Sequence, residues 1–70
     1  MNNLEKRLQD LPMSQSELAR RSVMHVSTVS LIVRGRMVPY ESQLAKIAAA
    51  VEWPGDPAGL LEEVPSEHLA

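Results

Sequence analysis

The sequence contains no cysteine and no phenylalanine, and one tryptophan and one tyrosine are its only aromatic residues. The absence of cysteine excludes disulfides, thiolate metal sites and a cysteine nucleophile, and it fits a reducing compartment, for which the cytoplasm is the default expectation. The longest apolar run, residues 47–51, is far too short to cross a bilayer, and the first residues lack the features of a secretory signal. Any core must be built from aliphatic side chains.

The chain is short and its charge is unevenly distributed. Seventy residues allow one domain near the lower size limit for a stable core, so that dimerisation is a reasonable expectation from length alone. We expect residues 1–65 to form this domain and residues 66–70 to form a frayed tail. The formal net charge is -2, but residues 13–39 carry four arginines against one glutamate, whereas residues 40–70 carry one lysine against six acidic residues.

The spacing of apolar residues predicts an all-α fold of five short helices, with no strand. The predicted ranges are about 2–11, 15–21, 26–33, 41–51 and 57–64. Asn2 or Asn3 can cap the first helix. Ser14 and Glu17 predict a reciprocal capping box for the second, and Gly35 supplies a left-handed residue after the third. Asp56 as a cap and Pro57 as the first helical residue predict the start of the fifth.

The second and third predicted helices are joined by a tight turn, which is the layout of a helix-turn-helix DNA reader. Ala19 falls where the two helices would cross most closely. A larger side chain at this position would push the helices apart. Apolar residues fall where one helix must face the other, namely Leu18, Met24, Val29 and Ile32. In such a unit the start of its second helix, which is the third predicted helix of this chain, enters the major groove of DNA.

This stretch resembles the Cro/XRE-type (lambda-repressor-like) helix-turn-helix family over about residues 13–51. The residues that carry the resemblance are Ser14-Gln15, Glu17-Leu18-Ala19, Ser27-Thr28-Val29-Ser30, Ile32, Arg34-Gly35, Pro39, Leu44 and Lys46-Ile47-Ala48. In one departure, Val23 stands in the turn where the family usually has glycine. A β-branched residue at positive φ is a conformational outlier, so the turn either avoids that conformation or holds it under strain.

The resemblance implies base-reading positions at the start and on the exposed side of the third helix. They fall on His25, Val26, Ser27 and Leu31, flanked by Ser30. Val26 and Leu31 can pack on a thymine methyl group, whereas the serine and the histidine can form hydrogen bonds to bases. Val26 fits an inward position equally well, and His25 is alternatively a helix cap without a DNA contact. We expect Leu31 to be exposed because neighbouring apolar residues already fill the inward stripe.

Four residues are candidates for phosphate contacts. Gln15 lies at the N-terminus of the second predicted helix, where the helix dipole is positive. The family resemblance and this polarity together predict that Gln15 contacts a phosphate. Thr28, Arg34 and Arg36 are the others, with ordinary solvated surface as the alternative.

A second apolar cluster lies towards the end of the chain. The predicted fifth helix has more apolar surface than a single core-facing stripe requires, contributed by Leu60, Leu61 and Val64. Together with Trp53, these residues form a candidate dimer interface. The alternative for Trp53 is a place in the core. Two histidines without any cysteine lack the spacing of a zinc site, so that no metal is expected. No cofactor and no enzymatic activity are predicted, because no acid–base arrangement or glycine-rich phosphate loop occurs.

These features predict a sequence-specific transcriptional regulator, in the first place a repressor that binds an inverted-repeat operator as a homodimer. Small proteins of this kind serve as phage repressors, autoregulating antitoxins and restriction-modification controllers, and the sequence does not choose among them. The alternative is a protein–protein interaction module that kept the fold but binds a protein partner. Net acidity, the apolar reading face and the departure at Val23 favour that alternative.

Overall fold

The computed structural model describes residues 1–64, which form four α-helices and one short 3-10 helix, with no β-strand in this range. The bounds are Asn3–Asp10 for α1, Gln15–Ser22 for α2, Val26–Val33 for α3 and Glu41–Ala50 for α4, followed by the 3-10 helix Pro57–Leu61. The all-α prediction is confirmed, and the four α-helices lie where apolar spacing places them. The predicted frayed tail lies outside the described residues.

The prediction of a fifth α-helix over residues 57–64 is wrong. Asp56 caps the segment as expected, its side chain accepting a hydrogen bond from the N–H of Ala58 at 3.0 Å, but the helix is of the 3-10 type and ends at Leu61. Glu62 has an extended backbone. Its carbonyl accepts the N–H of Asn3 at 2.8 Å, so the chain here pairs with the N-terminal residues and does not continue as a helix.

The core is one cluster of aliphatic side chains contributed by all five helices. Its members are Leu4, Leu8, Leu18, Ala19, Val29, Ile32, Val33, Leu44, Ile47, Ala48, Val51 and Leu60. Burial of a leucine, isoleucine or valine side chain in this cluster contributes about 1.5–3 kcal/mol relative to leaving it exposed. The arrangement of α2 and α3 is therefore determined mainly by packing within this cluster.

The starts of the helices are held by side-chain caps. The Asn2 side chain accepts the N–H of Glu5 at 2.8 Å at the start of α1, and Ser14 accepts the N–H of Glu17 at 3.0 Å at the start of α2. Only this half of the predicted Ser14–Glu17 capping box forms. The Glu17 carboxylate binds Arg20 and Arg21 instead, because both guanidinium groups lie on the next turn of the same helix face.

Three of the helices end in the same way, with a left-handed residue and a hydrogen bond from the following N–H group back into the helix. The left-handed residues have φ of 56° at Val23, 73° at Gly35 and 53° at Glu52. The hydrogen bonds join Met24 to Ala19 at 2.9 Å, Arg36 to Leu31 at 2.8 Å and Trp53 to Ala48 at 2.9 Å. The sequence left two alternatives for the turn after α2, one that avoids positive φ at Val23 and one that holds it under strain. The strained conformation is observed.

Candidate nucleic-acid interface

The two helices of the helix-turn-helix unit meet through small and aliphatic side chains, as the sequence predicts. Ala19 is only 5% exposed, and Leu18, Val29 and Ile32 are inaccessible to solvent. Met24, in the turn, is partly buried and packs against the same core. With this side of α3 turned towards the core, its other side faces solvent.

The exposed side of α3 carries the predicted base-reading residues. His25, Val26, Ser27 and Leu31 are exposed, and Ser30 is half-buried. Val26 is 49% exposed, so that of its two alternative placements the outward one is observed, and Leu31 is 43% exposed as expected. His25 is the N-cap residue of α3, but its side chain forms no capping hydrogen bond. The face thus combines two apolar side chains with polar groups at its start.

Cationic side chains follow the end of α3. Arg34 and Arg36 are exposed on either side of the left-handed Gly35. The ion pairs found within residues 1–64 include neither arginine, so both charges face solvent. Two further phosphate candidates, Gln15 at the first position of α2 and Thr28 in the first turn of α3, are half-buried.

The arginines of α2 are in a different electrostatic state. The Arg20 and Arg21 side chains both donate hydrogen bonds to the Glu17 carboxylate, the latter at 2.6 Å. These hydrogen bonds, that of Arg20 first, lower the pKa of Glu17 below its ordinary value of 4.5. The basic character of residues 13–39 is therefore concentrated at the end of α3.

Two side chains that sequence reasoning did not assign to the site contact helix ends from outside. The Asn2 amide donates to the carbonyl of Val33, the last residue of α3, at 3.3 Å. Arg7 donates to the carbonyl groups of Val51 and Glu52, at 2.9 and 3.1 Å, after α4. Both partners are remote in sequence, so that no periodicity or capping pattern could have indicated either contact.

Comparison with known families decides what this unit is. The model of the helix-turn-helix family matches residues 4–52, which is more than half of the chain and includes both α2 and α3. The chain belongs to the Cro/XRE-type helix-turn-helix family. It is thus a DNA-binding helix-turn-helix regulator, in which α3 occupies the position of the recognition helix. No curated protein and no solved structure matches the chain at a significant level.

In this helix-turn-helix protein the candidate dimer residues differ in accessibility. Leu60 is inaccessible to solvent because it fills the core of its own chain, which leaves it no surface for a second copy. Leu61, Val64 and Trp53 are half-buried. The Trp53 indole N–H donates to the Asp56 carbonyl at 3.0 Å, so that this ring closes over the turn that leads to the 3-10 helix.

The remaining features of the helix-turn-helix protein concern other classes of site. Within residues 1–64, no cluster of three or more His, Asp or Glu side chains could hold a metal ion. None of the helices in the same range has both the length and the apolar character that a membrane span requires.

Proposed function

We propose that this helix-turn-helix protein is a sequence-specific transcriptional repressor that binds an inverted-repeat operator as a homodimer. The observation that supports this most directly is the exposed side of α3, where Val26 and Leu31 face solvent although both are apolar. Exposed apolar side chains on a recognition helix have an obvious partner in the methyl groups of thymine, which line the major groove.

Base reading in this proposal depends on few hydrogen bonds. Ser27 can donate to or accept from a base edge, and His25 can donate to a guanine acceptor or a phosphate. Ser30 lies beside them and flanks the contact. Since no Arg, Asn or Gln lies on this side of α3 for a bidentate contact, we expect thymine methyl contacts from Val26 and Leu31 to supply much of the discrimination.

Phosphate contacts would come from the residues around this face. Arg34 and Arg36 follow α3 with their charges unpaired within the described residues, and Gln15 and Thr28 lie in the first turns of the two helices. Each phosphate that a cation neutralises contributes a slope of about −0.9 to the dependence of log affinity on log salt. Four arginines in a dimer therefore predict a slope of about −4.

We include a homodimer in the proposal because one protomer presents few unpaired cations for DNA within the described residues. Two recognition helices related by a two-fold axis lie in successive major grooves, about 34 Å apart, and read an inverted repeat. The half-buried surface of Leu61, Val64 and Trp53 is the proposed contact, whereas Leu60 supports it from within the core. Repression then needs only occupancy of the operator.

The test is to select bound duplexes from a random pool and to measure affinity for the selected and for a random duplex. Leu31→Ala should weaken binding to the selected duplex by about 1–3 kcal/mol and leave binding to random DNA unchanged. Uracil in place of thymine should reproduce that loss. Arg34→Ala should weaken binding to both duplexes equally, and Lys46→Ala, an exposed cation on α4, should change neither.

Two results would contradict the proposal. If no duplex is enriched and binding shows no steep salt dependence, the protein is better explained as an interaction module for a protein partner. If the selected site contains a single half-site and sedimentation at several concentrations shows only monomer, the homodimer is wrong. Leu61→Glu, checked for folding by circular dichroism, should remove the concentration dependence if Leu61 lies in the interface.

A further inference from the structure

The end of α3 is closed in part by a side chain from another element. The last four carbonyl groups of a helix have no partner within it. In α3 three of these carbonyl groups accept hydrogen bonds from backbone N–H groups that follow the helix. The carbonyl of Ser30 accepts from Arg34 at 3.0 Å, that of Ile32 from Gly35 at 3.0 Å and that of Leu31 from Arg36 at 2.8 Å. The fourth, that of Val33, accepts the side-chain amide of Asn2 at 3.3 Å.

Asn2 connects three parts of the molecule. It is only 7% exposed. Its side-chain oxygen accepts the N–H of Glu5 at 2.8 Å and so caps α1, while its amide nitrogen donates to Val33 at the end of α3. Its backbone forms an antiparallel bridge with Glu63. One buried residue therefore holds the end of α3 against the start of α1 and against the segment that follows the 3-10 helix.

We propose that Asn2 is a positioning residue for base reading, which fixes the orientation of α3 through its last carbonyl group. The inference rests on the proposed function. Contacts to base edges require a particular orientation of the recognition helix, whereas contacts to phosphates tolerate small shifts because the charge is repeated along the backbone. Loss of the Asn2–Val33 hydrogen bond should therefore reduce discrimination between sequences more than it reduces affinity for DNA in general.

The neighbouring residue provides a matched control. The Asn3 side-chain amide donates to the carbonyl of Gly59 at 2.9 Å, and its backbone N–H donates to Glu62 at 2.8 Å. Replacement of the Asn3 side chain thus removes a hydrogen bond of the same kind, from a side-chain amide to a distant backbone carbonyl, here that of Gly59. It leaves the carbonyl of Val33 with its partner.

The experiment compares Asn2→Ser and Asn2→Asp with Asn3→Ser and Asn3→Asp in the full chain. Ser and Asp at position 2 retain an oxygen that can cap α1, but they lack the amide donor. We expect both Asn2 variants to lower the ratio of affinities for the selected and the random duplex about fivefold, a typical size for coupling through a structural element. Both Asn3 variants should leave the ratio unchanged. All measurements are made well below each variant's melting temperature.

Amide hydrogen exchange provides a readout that does not depend on DNA. The N–H groups of Gly35 and Arg36 should exchange faster in the Asn2 variants than in the Asn3 variants, since only the former loosen the end of α3. If the Asn2 variants melt earlier but keep the wild-type affinity ratio and exchange rates, Asn2 is merely structural and the inference is overturned. If the wild type prefers no duplex, the proposed function fails, and the exchange rates alone decide whether Asn2 positions α3.

Discussion

The end of α2 and the end of α3 have the same backbone arrangement but different residues in its left-handed position. Val23 has φ of 56° and ψ of 52°, and Gly35 has φ of 73°. Glycine adopts this conformation freely, whereas for a residue with a side chain it costs about 1–2 kcal/mol. Val23 is also 82% exposed, so that its own side chain recovers little by burial. Packing of α2 against α3 therefore determines the turn, against the local preference of valine.

The two helix ends also differ in charge. Arg20 and Arg21 precede the turn after α2 and are both bound by Glu17, whereas Arg34 and Arg36 surround Gly35 without an ion pair in the described residues. A surface arginine that is already paired is a poorer partner for a phosphate, since the existing contact must be broken first. The end of α2 is thus partly neutralised, whereas the end of α3 keeps both of its positive charges.

The largest effect on stability is expected when Gly35, the left-handed residue after α3, is replaced by valine, the residue that has this conformation after α2. Gly35→Val should lower the free energy of unfolding by about 1–2 kcal/mol, because the backbone must keep its positive φ. Nothing lies within 4 Å of a Cβ atom at this position, so that steric clash would not contribute. Thermal unfolding followed by circular dichroism measures the change. Gly55→Ala, at a glycine outside the positive-φ region, should have little effect; an equal loss there would remove the conformational explanation.

The reverse change should have a smaller effect of opposite sign. Val23→Gly relieves the left-handed valine but increases the entropy of the unfolded chain, so that we expect a gain of about 0.5–1 kcal/mol. If the two effects add, the double variant Val23→Gly with Gly35→Val should melt above Gly35→Val alone but still below wild type, because the gain at position 23 is smaller than the loss at position 35. A melting temperature that falls on Val23→Gly would indicate that the side chain of Val23 makes a stabilising contact.

The smallest effect is expected at the ion pairs that Arg20 and Arg21 of α2 form with Glu17. The pKa of Glu17 is lowered in the folded state, first by the hydrogen bond from Arg20 and then by that from Arg21. The ionised Glu17 carboxylate therefore contributes its full stabilisation at pH values above its unfolded-state pKa. This stabilisation is lost as the pH falls through the lower pKa of Glu17 in the folded state. Glu17→Gln should melt slightly below wild type at pH 7, and the difference should vanish in acid. Glu41→Gln, on the exposed first turn of α4, serves as the control for removal of an acidic side chain that takes part in none of the ion pairs within residues 1–64.

Amphipathic spacing and caps were sufficient to locate the four α-helices and the inward side of each. In α3 the buried Val29, Ile32 and Val33 recur at helical intervals, and Ser14 caps α2, so that local sequence and tertiary packing favour the same structure. The outward side of α3 followed from the same pattern, because residues that do not fill the inward stripe must face solvent. Its base contacts remain predictions.

What could not be predicted depends on contacts between distant residues. The extended backbone at Glu62 results from pairing with Asn3, and no local pattern indicates that a helix should stop there in favour of such pairing. The Asn2–Val33 hydrogen bond joins residues 31 positions apart. The conformation of Val23 could not be predicted for a related reason, since local preference argues against positive φ and only the packing of α2 against α3 decides it.

The position of Trp53 gives the protein an optical probe of one particular region. Its ring closes over the turn before the 3-10 helix, with the indole N–H bonded to Asp56, and a Cβ atom at Gly59 would lie 3.4 Å from the indole nitrogen. Because Trp53 is the single tryptophan, fluorescence excited selectively in tryptophan reports on this turn alone. Emission from Trp53 should therefore distinguish detachment of the last described segment from melting of the helices, which far-ultraviolet circular dichroism follows.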